Sequence, residues 1–109
     1  MALRGNLEAL LASGQDNSLL RFSLGNECLR GDDCAKAAEH LKRAVELDPL
    51  YSAAWRQLGK ALAALLDDDG ARAAWTEGLA VAERKGDIQA AREMGVFLRR
   101  LDKKTAGKT

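Results

Sequence analysis

The sequence predicts an all-α protein, a stack of five to six helices arranged in helix-turn-helix repeats. Similar residues recur at an interval of 34 positions, as in Leu24-Gly25 and Leu58-Gly59. Within each repeat the apolar residues follow helical spacing. The composition, with 47% hydrophobic residues and one proline in 109 residues, favours packed amphipathic helices over strands or disorder. A period of this length is typical of units that bury their apolar faces on one another.

Residues 1–14 predict a degenerate half repeat. The leucines of this segment fall one period before three apolar residues of a later helix, namely Leu3, Leu7 and Leu10 before Ala37, Leu41 and Ala44. We therefore expect the leucine stripe to dock on the helices of the first full repeat.

The first full repeat spans residues 18–51. Its first helix places Leu20, Leu24 and Cys28 on one side, and its second helix is predicted over residues 35–47. Gly25 inside the first helix would cost about 1 kcal/mol relative to Ala, unless the missing side chain lets the paired helix approach closely. We expect this close approach. The Asp48-Pro49 pair ends the repeat.

The second full repeat spans residues 52–85. Trp55, Leu58 and Leu62 follow helical spacing in its first helix, and the second helix is predicted over residues 71–82. We predict that Trp55 and Trp75 are largely buried. No proline follows this repeat, so its second helix is expected to run on until Gly86-Asp87 stops it.

Residues 87–102 predict a capping helix. It has a small-and-apolar pattern like that of the two preceding first helices, in Ala91, Met94, Gly95 and Leu98, but displaced by two residues. We ascribe the displacement to a longer loop. Residues 1–102 are thus expected to form a single domain, and residues 103–109 a disordered tail.

These patterns resemble the repeat of the tetratricopeptide-repeat (TPR) family. The residues that match are Leu24, Gly25, Ala37, Leu41, Ala44 and Pro49 in the first repeat, and Trp55, Leu58, Gly59, Ala71 and Trp75 in the second. Arg21, Gly78 and Glu83 depart from the family's usual Trp, Ala and Pro. The resemblance implies a right-handed stack whose first helices line a concave groove. It also implies a non-enzymatic module for protein binding, serving as an adaptor or scaffold.

The resemblance further implies which residues line the groove. They are Phe22, Asn26, Leu29, Arg56, Lys60, Arg92 and Arg99. We expect a peptide or helix of a partner protein to bind there. Arg56, Lys60 and Arg92 are expected to lack an acidic partner, with Glu93 pointing elsewhere, so an acidic peptide fits best. One branch of the family grips a chaperone tail with a carboxylate clamp; only Asn26 matches that clamp, so this ligand is not predicted.

No motif predicts an active site, a metal site or a cofactor. Cys28, Cys34 and the single His40 lack the spacing of a zinc site. The run from Asp67 to Gly70 lacks the alternating carboxylates of a calcium loop and instead predicts a capped turn between helices. We therefore expect neither catalysis nor a bound cofactor.

Two alternatives to peptide binding stay open. The chain could associate with itself, because two full repeats fall below the usual minimum of about three and leave unsealed ends. RNA binding is the less favoured alternative: residues 84–109 carry eight Lys or Arg against three acids, but the net charge of the whole chain is only +1. No leader and no apolar run of about 20 residues is visible, so we expect a cytoplasmic protein without a membrane partner.

Overall fold

The computed structural model describes residues 2–107, which form six α-helices joined by short turns. The helices are α1 (Ala2–Ala12), α2 (Ser18–Arg30), α3 (Cys34–Leu47), α4 (Ser52–Ala64), α5 (Asp68–Lys85) and α6 (Ile88–Ala106). There is no strand among these residues. The helices pack in chain order, α2 with α3, α3 with α4, α4 with α5 and α5 with α6, while α1 packs on α2 alone. The predicted all-α stack of helix pairs is confirmed.

Polar caps begin most of these helices. The side chain of Asn17 accepts a hydrogen bond from the backbone N–H of Leu20 at 2.8 Å. Asp33, Asp67 and Asp87 cap α3, α5 and α6 in the same way. Each side chain accepts a hydrogen bond from the backbone N–H three residues later. Such caps satisfy backbone donors that have no partner within the helix. They help to fix where α2, α3, α5 and α6 start.

Glycine allows the paired helices to approach closely. The side chain of Leu41 on α3 lies over Gly25 of α2, and the indole of Trp75 on α5 lies over Gly59 of α4. A Cβ atom at either glycine would overlap these side chains. The missing side chains are therefore a requirement of packing, as the sequence predicted.

The two tryptophans are buried to different extents. Trp75 is 5% exposed and donates from Nε1 to the backbone carbonyl of Arg56 at 3.1 Å. Trp55 is only half-buried, and its Nε1 donates to the carbonyl of Pro49 at 2.8 Å. Trp55 is covered less fully than Trp75 because its ring lies at the floor of an open groove between α3 and α5, two helices that do not pack directly on each other.

The two-residue displacement of α6 comes from a longer helix. Helix α3 has 14 residues and is followed by four connecting residues, whereas α5 has 18 residues and is followed by only two. The expectation of a longer loop was thus wrong. Helix α5 runs on, as predicted, until Gly86, which adopts a left-handed φ of 72°.

Helix α6 extends further than the sequence predicted. We expected disorder from residue 103, but the helix continues to Ala106. Leu101 is buried, Arg72 of α5 forms an ion pair with Asp102, and Lys104 reaches Asp68 at 3.2 Å. These contacts hold the last turns of α6 against α5. Residues 108 and 109 of the predicted tail lie outside the described part of the chain.

Helix α1 docks through a face other than the predicted leucine stripe. Leu7 and Leu11 are half-buried, and Arg4 forms an ion pair with Asp33 at 3.0 Å. Leu3 and Leu10 are exposed. Of the predicted stripe only Leu7 is partly covered, because α2 is the single helix that packs on α1 within residues 2–107.

None of the helices in residues 2–107 has both the length and the hydrophobicity needed to span a lipid bilayer.

Candidate functional site

The surface formed by α2, α4 and α6, here called the first-helix face, carries the predicted groove residues. The structure brings three of them, Asn26, Leu29 and Lys60, into one open pocket of about 430 Å³. Arg30 and Gln57 complete its lining. The other predicted residues, Phe22, Arg56, Arg92 and Arg99, lie outside this pocket.

An amide pair crosses the pocket. Gln57 Nε2 on α4 donates a hydrogen bond to Asn26 Oδ1 on α2 at 2.9 Å. Each amide retains further hydrogen-bonding capacity, since a side-chain amide offers two N–H donors and two acceptor lone pairs. The pair therefore joins the two helices and still offers donors and acceptors to a ligand.

Arg56 is engaged within the protein. Its Nη1 donates to Oε1 of Glu93 on α6 at 3.2 Å, and both side chains are half-buried. The expectation that Arg56 lacks an acidic partner was wrong. Glu93 does point away from Arg92 on its own helix, but that direction faces α4, because the two first helices pack side by side. Arg56 thus ties α4 to α6.

Lys60 and Arg30 are the exposed cations of the pocket. Lys60 forms no ion pair within residues 2–107, and its Nζ lies 5.4 Å from the centroid of the Phe97 ring. Arg30 is exposed and has only a helical neighbour, Glu27, at 3.5 Å. Both charges are accessible to an anion from outside.

Phe22 belongs to the packing of the stack. Its half-buried ring lies 4.8 Å from the ring of Tyr51, centroid to centroid. Burial, with the charge of Asp48 adding to it, raises the pKa of the Tyr51 phenol above its usual value. Phe22 therefore closes the junction between the two repeats.

Arg92 and Arg99 line a separate groove at the C-terminal end of the stack. This end groove lies between α5 and α6, encloses about 710 Å³ and has a largely apolar lining. Its small and apolar residues include Leu79, Ala82 and Gly95. The sequence analysis did not predict this groove. Its signal was Gly95, which matches Gly25 and Gly59 but has no second helix after it within residues 2–107.

A third groove runs between the second helices α3 and α5. It encloses about 720 Å³ over a floor that includes Trp55, Leu58 and Leu62. Its rim is predominantly acidic, with Lys42 among Glu39, Glu46, Asp67 and Glu77. The 34-residue pattern marks the apolar floor but gives no sign that α3 and α5 stay apart.

The titratable groups form no metal site in the described part of the chain. No cluster of three or more potential ligands occurs within residues 2–107. Cys28 is a buried free thiol whose pKa is raised by that burial, and Cys34 is a half-buried free thiol. His40 lies against Arg21, whose Nη1 is 3.1 Å from the imidazole Nδ1. We assign none of these groups a catalytic role.

Comparison with known proteins gives consistent relatives. No family model matches the chain. TPR repeat-containing protein PA0015 of Pseudomonas aeruginosa is 58% identical over 97 residues, which cover 89% of this chain and 92% of the relative. The solution structure of protein BPP2914 from Bordetella parapertussis shares 47% identity with a TM-score of 0.83, covering 97% of this chain and 92% of that one. A tetratricopeptide repeat domain protein from Salinibacter ruber shares 26% identity with a TM-score of 0.72, covering 79% and 87%.

The fold and the relatives agree. Two helix pairs repeat at an interval of 34 residues, each with a glycine under the large side chain of its second helix. TPR proteins generally mediate protein–protein interactions and are typically non-enzymatic. By its architecture and its 58% identity to a TPR relative, this chain belongs to the tetratricopeptide-repeat family.

Proposed function

We propose that the chain is a non-enzymatic binding module that holds an acidic, partly apolar peptide of a partner protein on the first-helix face. The observation that supports this proposal is the pocket in which Lys60 and Arg30 flank the Asn26–Gln57 amide pair, with Leu29 beside them. This mixture of groups suits a peptide better than a small metabolite.

Each group of the pocket has a separate part in recognition. Lys60 and Arg30 attract carboxylates of the peptide, because neither has a strong acidic partner nearby. The amides of Asn26 and Gln57 exchange hydrogen bonds with the peptide backbone. Half-buried Leu29 supplies apolar contact. Charge thus selects the peptide's composition, and the amides fix its position.

Arg56 has an indirect part in this proposal. It is held by Glu93, so an incoming carboxylate would have to displace an existing ion pair. Arg56 therefore sets the spacing of α4 and α6. The acidic peptide contacts Lys60 and Arg30 in its place.

Selection of ligands from a random-peptide display library tests the proposal. The wild-type protein should enrich peptides that combine Asp or Glu with apolar residues. Titration of such a peptide should shift the backbone amide signals of Asn26, Leu29 and Lys60 in NMR spectra. Lys60→Glu should weaken the peptide's affinity by about tenfold or more through charge repulsion.

Lys42→Glu is the matched control, since Lys42 is an exposed lysine on the rim of the groove between α3 and α5. It makes the same change of charge and should leave the affinity unchanged. Enrichment of basic peptides, or amide shifts confined to α3 and α5, would place recognition on the acidic rim and refute the proposal.

A further inference from the structure

Helix α6 has the form of a first helix, and within residues 2–107 no second helix follows it. A glycine stands eight residues after the N-cap residue in each first helix: Gly25 after Asn17, Gly59 after Tyr51 and Gly95 after Asp87. Leu41 fills the slot over the first of these and Trp75 the slot over the second. At Gly95 a Cβ atom would meet only the guanidinium of Arg99, at 3.4 Å. This open slot lies in the end groove.

Helix α1 has the form of a second helix, and no first helix covers it within residues 2–107. Leu7 stands one period before Leu41, at the position whose side chain fills the glycine slot. Leu3 and Leu10 stand one period before Ala37 and Ala44, which are fully buried in α3. In α1 the corresponding leucines are 52% and 42% exposed. The side of α1 that a first helix would cover is therefore open.

We propose that these two ends complete each other between copies of the chain. Helix α1 of one copy packs in the end groove of the next copy, so that α6 and α1 form a composite repeat. Leu7 then lies over Gly95, as Leu41 lies over Gly25. Helix α1 stays on its own α2, just as α3 contacts both α2 and α4 within one chain.

The sizes of the facing residues match this arrangement. In the second repeat, Gly78 leaves no room for a Cβ atom, which would overlap Met94 Sδ and the Cβ of Trp55. The first repeat has side chains at both equivalent positions, Arg21 and Ala44, and Ala44 is fully buried. The composite repeat places Ala91 and Leu10 there, so its two helices take the wider spacing of the first repeat.

Charge does not oppose this contact. Two acids and two cations, Glu83, Asp87, Arg92 and Arg99, line the end groove. Helix α1 carries one cation and one acid, Arg4 and Glu8. Because the two contacting surfaces differ, the contact is heterologous and joins copies head to tail, beyond a dimer, into a filament or a ring.

Sedimentation velocity over a series of protein concentrations tests the proposal. The average mass of the wild-type protein should rise with concentration and pass that of a dimer. Gly95→Trp fills the slot on α6, and Leu10→Asp places a charge on the exposed face of α1. Each variant should remain monomeric, with unchanged helicity by circular dichroism because neither position is buried. Leu66→Asp, at an exposed turn away from both ends, should associate like the wild type.

Mixing the two blocked variants gives the sharper result. Gly95→Trp retains an intact α1, and Leu10→Asp retains an intact end groove, so an equimolar mixture should form a one-to-one dimer that does not grow. Leu3→Asp, mixed with Gly95→Trp in place of Leu10→Asp, should form the same one-to-one dimer. A monomeric wild type at every concentration, a mixture that stays monomeric, or association that survives Gly95→Trp would each overturn the proposal. Peptide binding measured on monomeric Leu10→Asp keeps this result separate from the function proposed above.

Discussion

At the scale of single residues, equivalent positions of the repeat differ in what a side chain would meet. Gly25 and Gly59 are covered by Leu41 and Trp75, whereas Gly95 faces open space apart from one flexible guanidinium. All three lie within helices, where glycine costs roughly 0.5–1 kcal/mol relative to alanine. The same substitution should therefore have opposite effects at these positions.

We predict that Gly95→Ala stabilises the monomer by roughly 0.5–1 kcal/mol, because alanine has the higher helix propensity and its methyl group displaces no packed side chain. Gly59→Ala should destabilise it by about 1–3 kcal/mol, because the rigid indole of Trp75 must move. Urea denaturation of the dilute protein measures both changes. Equal losses at the two positions would contradict the account of the open slot.

His40 makes the stability depend on pH. Burial, reinforced by the positive charge of Arg21, lowers the pKa of the imidazole below its ordinary value of 6.5, while Glu39 and Glu8 oppose the shift. The neutral ring accepts from Arg21 at Nδ1, and Asp16 holds that guanidinium at 2.8 Å. His40 therefore binds a proton more readily in the unfolded chain than in the folded chain.

Folding stability should accordingly fall as the pH drops below about 6.5, and level off below the lowered folded-state pKa of His40. His40→Gln should flatten this part of the curve. Urea midpoints between about pH 7 and pH 5 measure it. Asp16 and Asp33, whose pKa values are lowered mainly by hydrogen bonds from Arg21 and Arg4, lose their contribution only below the ordinary carboxylate value of 3.8. A slope unchanged by His40→Gln would refute the assignment.

At the scale of helices, α1 depends on one neighbour. Leu7 is half-buried, whereas Leu10 is exposed. We predict that Leu7→Ala lowers the stability of the dilute protein by about 1–2 kcal/mol, part of the usual cost of removing a fully buried leucine, whereas Leu10→Ala changes it little. Thermal melts followed by circular dichroism compare the two. A larger loss of stability for Leu10→Ala would contradict the observed docking and support the leucine stripe as the docking face of α1.

The sequence predicted the helices well because their phase is local information. The 34-residue interval, the caps and the glycine positions all lie within one repeat. It failed where the outcome depends on a neighbouring helix. The exposed side of α1 follows from its having a single neighbour, α2, among the described helices, and the Arg56–Glu93 pair follows from how α4 and α6 lie side by side. For the same reason the end groove and the groove between α3 and α5 were not foreseen.

At the scale of the whole molecule, the stack is elongated, with extents of 47 × 30 × 19 Å. Helix α4 packs against α2, α3, α5 and α6, whereas α1 packs against α2 alone. Repeat proteins of this kind open locally, from the least supported end. Protection should therefore vary along the chain.

We predict that native-state hydrogen exchange is fastest in α1 and slowest in α4 for the dilute monomer. Exchange followed by NMR gives the free energy of opening for each amide. Raising the concentration should slow exchange in α1 if copies assemble as inferred above, while Leu10→Asp removes that concentration dependence. Uniform protection across all six helices would show that the chain unfolds only as a single unit.

The capped turns also have an evolutionary consequence. Residues 18–51 begin after one N-cap position, at Asn17, and end on the next, at Tyr51, so a tandem copy of this segment would re-enter the fold at an equivalent backbone position. A gene duplication within these bounds would lengthen the first-helix face by one helix and leave both ends unaltered. The packing within a repeat fixes the cross-section of the protein, whereas its length can change by the gain or loss of whole repeats.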